Sequence, residues 1–351
     1  MIMLLMALAA PEFSAHPFWM FDLEENLTAH AALADVDGDG DLDVLVANGR
    51  HWAQQDYVFL NAGNGRLLEA RRVGEGLTTG YALLPIDLDG DGDMDAVAVR
   101  DQVASHLFEN DGLGNFTDLG PIEGSGGNAR GALVADMDGD GRDDLVVVRR
   151  GETDLMFRGT GGLALGAAET IAASGHSTGV SVGDIDGDGD LDLAVARRDG
   201  GESVLLVNDG TGRFEERPIA GSVGDHRKVE LADFDADGTL DLALASTDGV
   251  LKIMLQDGAG SFVTAQALRQ ESGQIQALTV GDLDGDGDVD IVAGGEGANT
   301  AWINEDGEWQ SVTIDGDDMT YGVALGDLTG DGKIDIVVAN SGSANQVVRQ
   351  R

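Results

Sequence analysis

Nine-residue segments of the form D-x-(D/T)-x-D-G-x-x-D recur seven times along this chain, and that recurrence restricts its fold more than any other feature. They begin at Asp35, Asp87, Asp136, Asp184, Asp233, Asp282 and Asp327, at spacings of 52, 49, 48, 49, 49 and 45 residues. A steady period of this size means that each unit is one supersecondary module, which buries its apolar faces against its neighbours. The fourth unit shows the content. Apolar runs at 180–182 and 193–196 flank the aspartate segment, and runs at 203–207 and 213–219 flank the turn Asn208-Asp209-Gly210-Thr211-Gly212. Each run is short, rich in Val, Leu and Ala, and bounded by Gly, Asp or Asn, which reads as a strand. Four short antiparallel strands per unit and seven units predict an all-β, seven-bladed β-propeller.

A ring must join its ends. The seventh unit has strands near 322–325, 336–339 and 346–348 but no fourth, while a surplus run at 18–23 precedes the first unit. That run stands where Phe116, Phe214, Phe262 and Trp309 stand before later units, so it is expected to complete blade seven and remove two open edges. Residues 1–14 read as a remnant of a secretory signal and 15–351 as one propeller domain. The start is apolar, with small residues at Ala7 and Ala9, although it lacks a basic leading region. No later stretch is long and apolar enough to span a bilayer.

The chemistry of the repeat lies in its acids. Hard divalent cations take several oxygen ligands, and alternate side chains of a tight loop converge on one point when a glycine at position 6 permits the turn. That glycine is present seven times, as Gly40, Gly92, Gly141, Gly189, Gly238, Gly287 and Gly332. Side chains at positions 1, 3, 5 and 9, with the backbone carbonyl of position 7, form the expected ligand sets. The first loop offers Asp35, Asp37, Asp39 and Asp43 with Asp41, and the second Asp87, Asp89, Asp91 and Asp95 with Asp93. The third offers Asp136, Asp138, Asp140 and Asp144 with Arg142, and the fourth Asp184, Asp186, Asp188 and Asp192 with Asp190. Asp233, Asp235, Asp237 and Asp241 with Thr239 form the fifth, and Asp282, Asp284, Asp286 and Asp290 with Asp288 the sixth. The seventh has Asp327, Thr329, Asp331 and Asp335 with Lys333, one carboxylate fewer and a cation beside it, so it is expected to be the weakest. Up to seven Ca²⁺ ions are expected.

An EF-hand would need Glu at position 12 and flanking helices, but that position is Val46 in the first loop and Ala98 in the second, each inside an apolar run. The loops therefore belong to β-hairpins between the first and second strands. The formal net charge of −43, from 64 acids and 21 bases, excludes nucleic acid as the default partner. Of the 64 acids, 32 fall inside the seven segments, which favours cation sites over a halophilic surface that would spread its charge. Without a cation, carboxylates held so close repel. The absence of cysteine removes disulfides and thiolate metal sites.

These segments, with the turn N-x-G-x-G-x-F at 110–116 and 208–214 and looser copies at 61–67 and 256–262, resemble the FG-GAP or VCBS repeats. Those repeats build integrin α-chain propellers and occur in many bacterial secreted proteins. The resemblance covers nearly the whole chain after about Ala15. It implies a Ca²⁺-bearing propeller with ligands at loop positions 1, 3, 5 and 9. Family members include adhesion receptors, lectins and modules of polysaccharide-processing proteins, so the family alone does not fix a function.

The face opposite the aspartate loops is the better place to look. Six residues before each loop's first Asp stand Ala29, Tyr81, Arg130, Thr178, Arg227, Gln276 and Tyr321, a column expected at the channel mouth. His30, His176, His226 and Lys228 lie near it in sequence, and His51 and Trp52 sit on the longest loop between second and third strands. Tyr81, Arg130, Arg227 and Tyr321 are the expected contacts to a glycan or protein ligand, because aromatic faces and arginine forks suit sugars and anions. The reading is a monomeric binding or adhesion module that is secreted, periplasmic or on the cell surface. The alternative is a lyase-like, polysaccharide-processing enzyme using the same face. The one catalytic-looking string, Gly175-His176-Ser177-Thr178-Gly179, fits G-x-S-x-G but leads into a strand rather than from a strand to a helix. The six histidines show no zinc spacing.

Overall fold

The computed structural model describes residues 10–258, 260–270, 273–314 and 318–351. The expected leader at 1–9 lies outside them. Seven antiparallel sheets follow in chain order; six take four consecutive strands each, and the seventh adds N-terminal pieces to the last three strands. Burial is greatest on the second strand of each blade and falls toward the rim, and the sequence shows why. Second strands such as Asp43–Asn48, Asp95–Arg100 and Asp144–Arg149 are buried at every position. Adjacent blades cover both their faces, so they read as unbroken Val, Leu and Ala runs. Outer strands such as Phe214–Pro218 are polar and largely exposed.

The first strands are Thr28–Ala34, Gly80–Ile86, Ala129–Ala135, Ser177–Gly183, His226–Ala232, Ile275–Gly281 and Thr320–Gly326. Each contacts the next, and the last contacts the first, so the ring is closed around a channel. Small residues permit that approach: a Cβ on Gly179 would lie 2.6 Å from the Arg227 carbonyl oxygen of the next blade.

Closure uses the N-terminus, in two pieces. Phe13–Ser14 pairs with Arg349 and Gln350, and Met20–Phe21 pairs with Asn345 and Gln346 on the last strand, Asn345–Gln350. A single 3₁₀ turn, Pro17–Trp19, separates them. Of the strand expected over 18–23 only Met20–Phe21 pairs, since the turn that Pro17 sets takes Phe18 and Trp19, and the other pairing piece lies upstream at Phe13–Ser14. Phe18 and Leu23 point outward, 72% and 76% exposed. Phe13 and Ser14 belong to the sheet, two residues ahead of residue 15, where the sequence reading begins the propeller. Phe21 is buried edge-on against Phe59, 5.0 Å between centroids. Beside it, buried Asp22 accepts hydrogen bonds from Asn26, from Asn48 of blade one and from Asn345 of blade seven. Among the described residues no helix is long and apolar enough to cross a membrane.

A second device locks blade to blade. Asn110, at the start of the second blade's N-x-G-x-G-x-F turn, donates from Nδ2 to the Val36 carbonyl of the preceding blade (2.7 Å) and to Met94 of its own (3.0 Å). Its Oδ1 accepts the Gly114 N–H. Asn61, Asn208 and Asn304 repeat the interblade bond to Leu328, Met137 and Phe234, and the longer Gln256 and Gln350 reach Ile185 and Leu283. Blade three has Gly159 at this position and no side chain to reach across. The turn residues of the repeat thus satisfy carbonyls that would otherwise be buried without partners.

Candidate functional site

All seven aspartate loops join a first strand to a second and so share one end of the ring. Their position-6 glycines take φ between 82° and 100°, the left-handed region that a side chain would resist. The position-9 aspartate opens the second strand and is buried. Asp43 Oδ2 accepts the Val36 N–H (3.0 Å) and its Oδ1 accepts the Asn61 N–H (2.8 Å), so one carboxylate fastens the loop to the third strand. Asp95, Asp144, Asp192, Asp241, Asp290 and Asp335 repeat this clamp.

Above the clamp the carboxylates converge. Oxygens of Asp87, Asp89 and Asp95 lie within 4.8 Å of one another, as do those of Asp136, Asp138 and Asp144, of Asp184, Asp186 and Asp192, and of Asp233, Asp235 and Asp241. In the first loop the converging set is Asp35, Asp37 and Asp39. Burial, with the neighbouring charges of Asp284 and Asp286, pushes Asp290 up to about 7. The buried Oδ2 of Asp284 has no hydrogen-bond partner. A hard cation fits such a set: oxygen donors only, aimed together, with an acceptor left over.

Blade three differs from its neighbours. Arg158 reaches from the third strand to Asp138 and also bonds Glu169 at 2.9 Å, so this loop carries a cation of its own. Arg142 reaches Asp140 at 2.9 Å. Within the segments the expected competing cation is Lys333 of the seventh loop, where Arg349 also stands 3.6 Å from Asp331. Nothing in the repeat pattern marks Arg158, because it lies outside the nine-residue segment.

At the other end of the ring a pocket of about 300 Å³ opens at the channel mouth, lined by all seven residues of the column from Ala29 to Tyr321. Its origin is a β-bulge repeated in every blade. The pairing of first and second strands slips at Ala29, Tyr81, Arg130, Thr178, Arg227, Gln276 and Tyr321, each the extra residue between two paired ones. A bulge turns its extra residue out of the ladder, here toward the mouth.

Tyr81, Arg130, Arg227 and Tyr321 thus share one site, with residues of the second-strand ends that the sequence reading did not select: Arg50, Arg150 and Arg198. Arg130 pairs with buried Asp101 at 2.7 Å and lies over the Tyr81 ring, 4.7 Å from its centroid. Arg50 lies 3.6 Å from the Tyr321 centroid. One face of each tyrosine is therefore covered by a guanidinium, which leaves less ring for sugar stacking than the sequence suggested. His51 Nδ1 meets Asp101 Oδ2 at 2.9 Å, and the Tyr81 hydroxyl meets His51 Nε2 at 3.0 Å, a hydrogen-bonded chain of three side chains. Burial raises the Tyr81 phenol. Asp101, although burial pulls it upward, is held below the usual carboxylate range by Arg130 and His51. Ser177 of the G-x-S-x-G string is buried and donates to Asp154 at 2.7 Å, at the start of a strand, which removes it as a nucleophile.

Fold and loops together define a seven-bladed propeller with acidic hairpins at one end and a channel pocket at the other. A family model described as FG-GAP-like repeat matches residues 35–98, 87–147, 136–195, 184–244, 233–293 and 282–338, each match opening on a loop's first aspartate. The chain belongs to that family. No curated protein sequence matches it. Among solved structures it is similar to an Agrocybe aegerita lectin described as recognising non-reducing terminal N-acetylglucosamine. There the identity is 19%, with 93% of this chain and 87% of that one covered and a TM-score of 0.61. It is also similar to BBS1N, solved in complex with ARL6DN, at 11% identity over 97% of each chain with a TM-score of 0.64. At such identities the likeness is one of fold.

Proposed function

We propose that this protein is a Ca²⁺-stabilised binding module whose ligand, a glycan or a protein, docks at the channel mouth opposite the aspartate loops. The observation that carries this reading is the repeated β-bulge, which turns one residue of every blade into a single pocket. A ring stabilised from one end and open at the other separates the structural ions from the recognition surface. Extracellular Ca²⁺ modules bind with Kd of about 10⁻⁴ to 10⁻³ M, which suits millimolar Ca²⁺ outside the cytoplasm and a secreted, periplasmic or cell-surface protein. The lectin is described as recognising a sugar and the BBS1N propeller as solved in complex with a protein.

A second reading, a polysaccharide-processing enzyme, is favoured by the Asp101–His51–Tyr81 chain, which has the form of a proton relay. Against it, Tyr81 is shifted upward, the wrong direction for a base at neutral pH. A glycan array followed by product analysis separates the two. Binding without turnover, abolished when Tyr81, Arg130, Arg227 and Tyr321 are replaced together in a protein that still folds, is the expected result. Full affinity in the quadruple variant would place the site elsewhere, and product formation lost in Tyr81→Phe would favour the enzyme.

A further inference from the structure

The mouth is cationic in a chain of formal net charge −43. Its lining includes no Asp or Glu, yet holds Arg50, Arg130, Arg150, Arg198, Arg227 and Lys228, in a protein with three acids for every base. Three of the six are neutralised just outside the pocket: Arg130 by Asp101, Arg150 by Asp199 at 2.7 Å, and Arg198 by Asp225 at 2.8 Å. Arg50 and Arg227 have no carboxylate within ion-pair distance among the described residues, and Lys228 has none that close either, its charge being offset only at longer range by Glu230. Burial, then the positive charges of Arg198 and Arg50, press Arg227 down to about 10. Its Nε is buried without a hydrogen-bond partner. Cations crowded in this way repel, and a buried guanidinium donor without an acceptor costs free energy. Both penalties vanish if an anion sits among them, because the guanidinium fork matches a planar or tetrahedral oxyanion.

Resting on the reading that the mouth is the ligand site, we propose that it selects an oxyanion, the carboxylate or sulfate of a single acidic sugar unit, held by Arg50, Arg227 and Lys228. The size argues for one unit, since about 300 Å³ is at the lower end of small-ligand pockets. The remaining lining argues for a sugar: Gln276, whose buried Oε1 has no hydrogen-bond partner, and the hydroxyls of the two tyrosines bring hydrogen-bonding groups suited to hydroxyls around the cationic centre.

Titration calorimetry of the intact protein in Ca²⁺ buffer tests this with glucuronate, glucose, inorganic sulfate and an aspartate-rich peptide. Glucuronate is expected to bind at least about tenfold more tightly than glucose, about 1.4 kcal/mol, with sulfate competing. Arg50→Gln/Arg227→Gln is expected to erase that preference without lowering the melting temperature, because it removes two repelling cations. If the double variant fails to fold, Arg50→Gln alone must reduce the preference. Glucose binding as tightly as glucuronate, unaffected by the substitutions, would overturn the oxyanion proposal and leave the mouth as a neutral-sugar site. Sulfate binding with no discrimination among sugars would show an adventitious ion only and overturn it too. Preference for the peptide, or no binding by any probe, would likewise reject the acidic-sugar assignment.

Discussion

Phe21→Ala tests whether the N-terminal segment closes the ring. Phe21 is 3% exposed and packs with Val44, Phe59, Val337 and Val347, so it bridges blades one and seven through a segment with only two short pairings. Truncating a buried Phe costs about 3–5 kcal/mol, transfer and cavity terms together. Unfolding entropy of about 2.1 cal/mol/K per residue gives roughly 0.7 kcal/mol/K for a chain of this length, so the melting temperature should fall by about 4–7 °C. Phe18→Ala is the control: same segment, same chemistry, 72% exposed, and expected within about 0.5 kcal/mol of the parent. Differential scanning calorimetry at fixed Ca²⁺ reads both. Equal melting temperatures for the two variants would refute closure by this segment, as would a protein lacking residues 1–26 that melts like the parent.

Asn208→Ala should cost about 1–3 kcal/mol in denaturant titration, because it orphans the buried Met137 carbonyl of the preceding blade, and a neutral result would remove the interblade latch. The pH dependence of stability should carry the signature of Asp56 and Asp154, two carboxyls outside the loops that burial pushes up to about 6. The folded state then binds more protons than the unfolded one between about pH 4 and 6, so their contribution is full below that window and lost as pH rises through it. Asp56→Asn should flatten this part of the curve, and an unchanged parent-minus-variant difference from pH 4 to 6 would count against it.

The blades were legible because two periodicities coincide: the aspartate loop at a spacing near 49 residues and, inside each unit, apolar runs split by turn residues. The column at the mouth was legible from the same register, since counting back six residues from Asp87 or Asp136 lands on Tyr81 or Arg130 in every blade alike. What counting cannot show is the bulge that turns those residues inward, which is a slip in pairing rather than a residue type. Arg50, Arg150 and Arg198 escaped for a different reason: Arg150 and Arg198 share one offset past the second strand and Arg50 stands one residue beyond it, but that offset carries Asp101, Thr247 and Glu296 in other blades, so no residue type marks it. The Asn of the hairpin turn was read as turn chemistry, but its reach to the preceding blade depends on how blades pack, which a single unit's sequence does not contain. The loss of Phe18 and Trp19 from the closing strand could have been anticipated, because the proline immediately before them removes a donor, fixes φ and favours a turn.

Ca²⁺ as the stabilising ligand of the aspartate loops is the claim on which the proposed function depends, and a melting curve in millimolar Ca²⁺ against one in excess chelator tests it most directly. Each occupied site contributes RT ln(1 + [L]/Kd), about 2.7 kcal/mol at a hundredfold excess over Kd, against a net stability of only about 5–15 kcal/mol for a folded protein. Chelation should therefore lower the melting temperature strongly. Asp184→Ala should lower it more than Thr329→Ala, because the seventh loop already lacks a carboxylate at that position. Superimposable curves with Ca²⁺ and with chelator would contradict the account and return the aspartates to a role in surface charge alone.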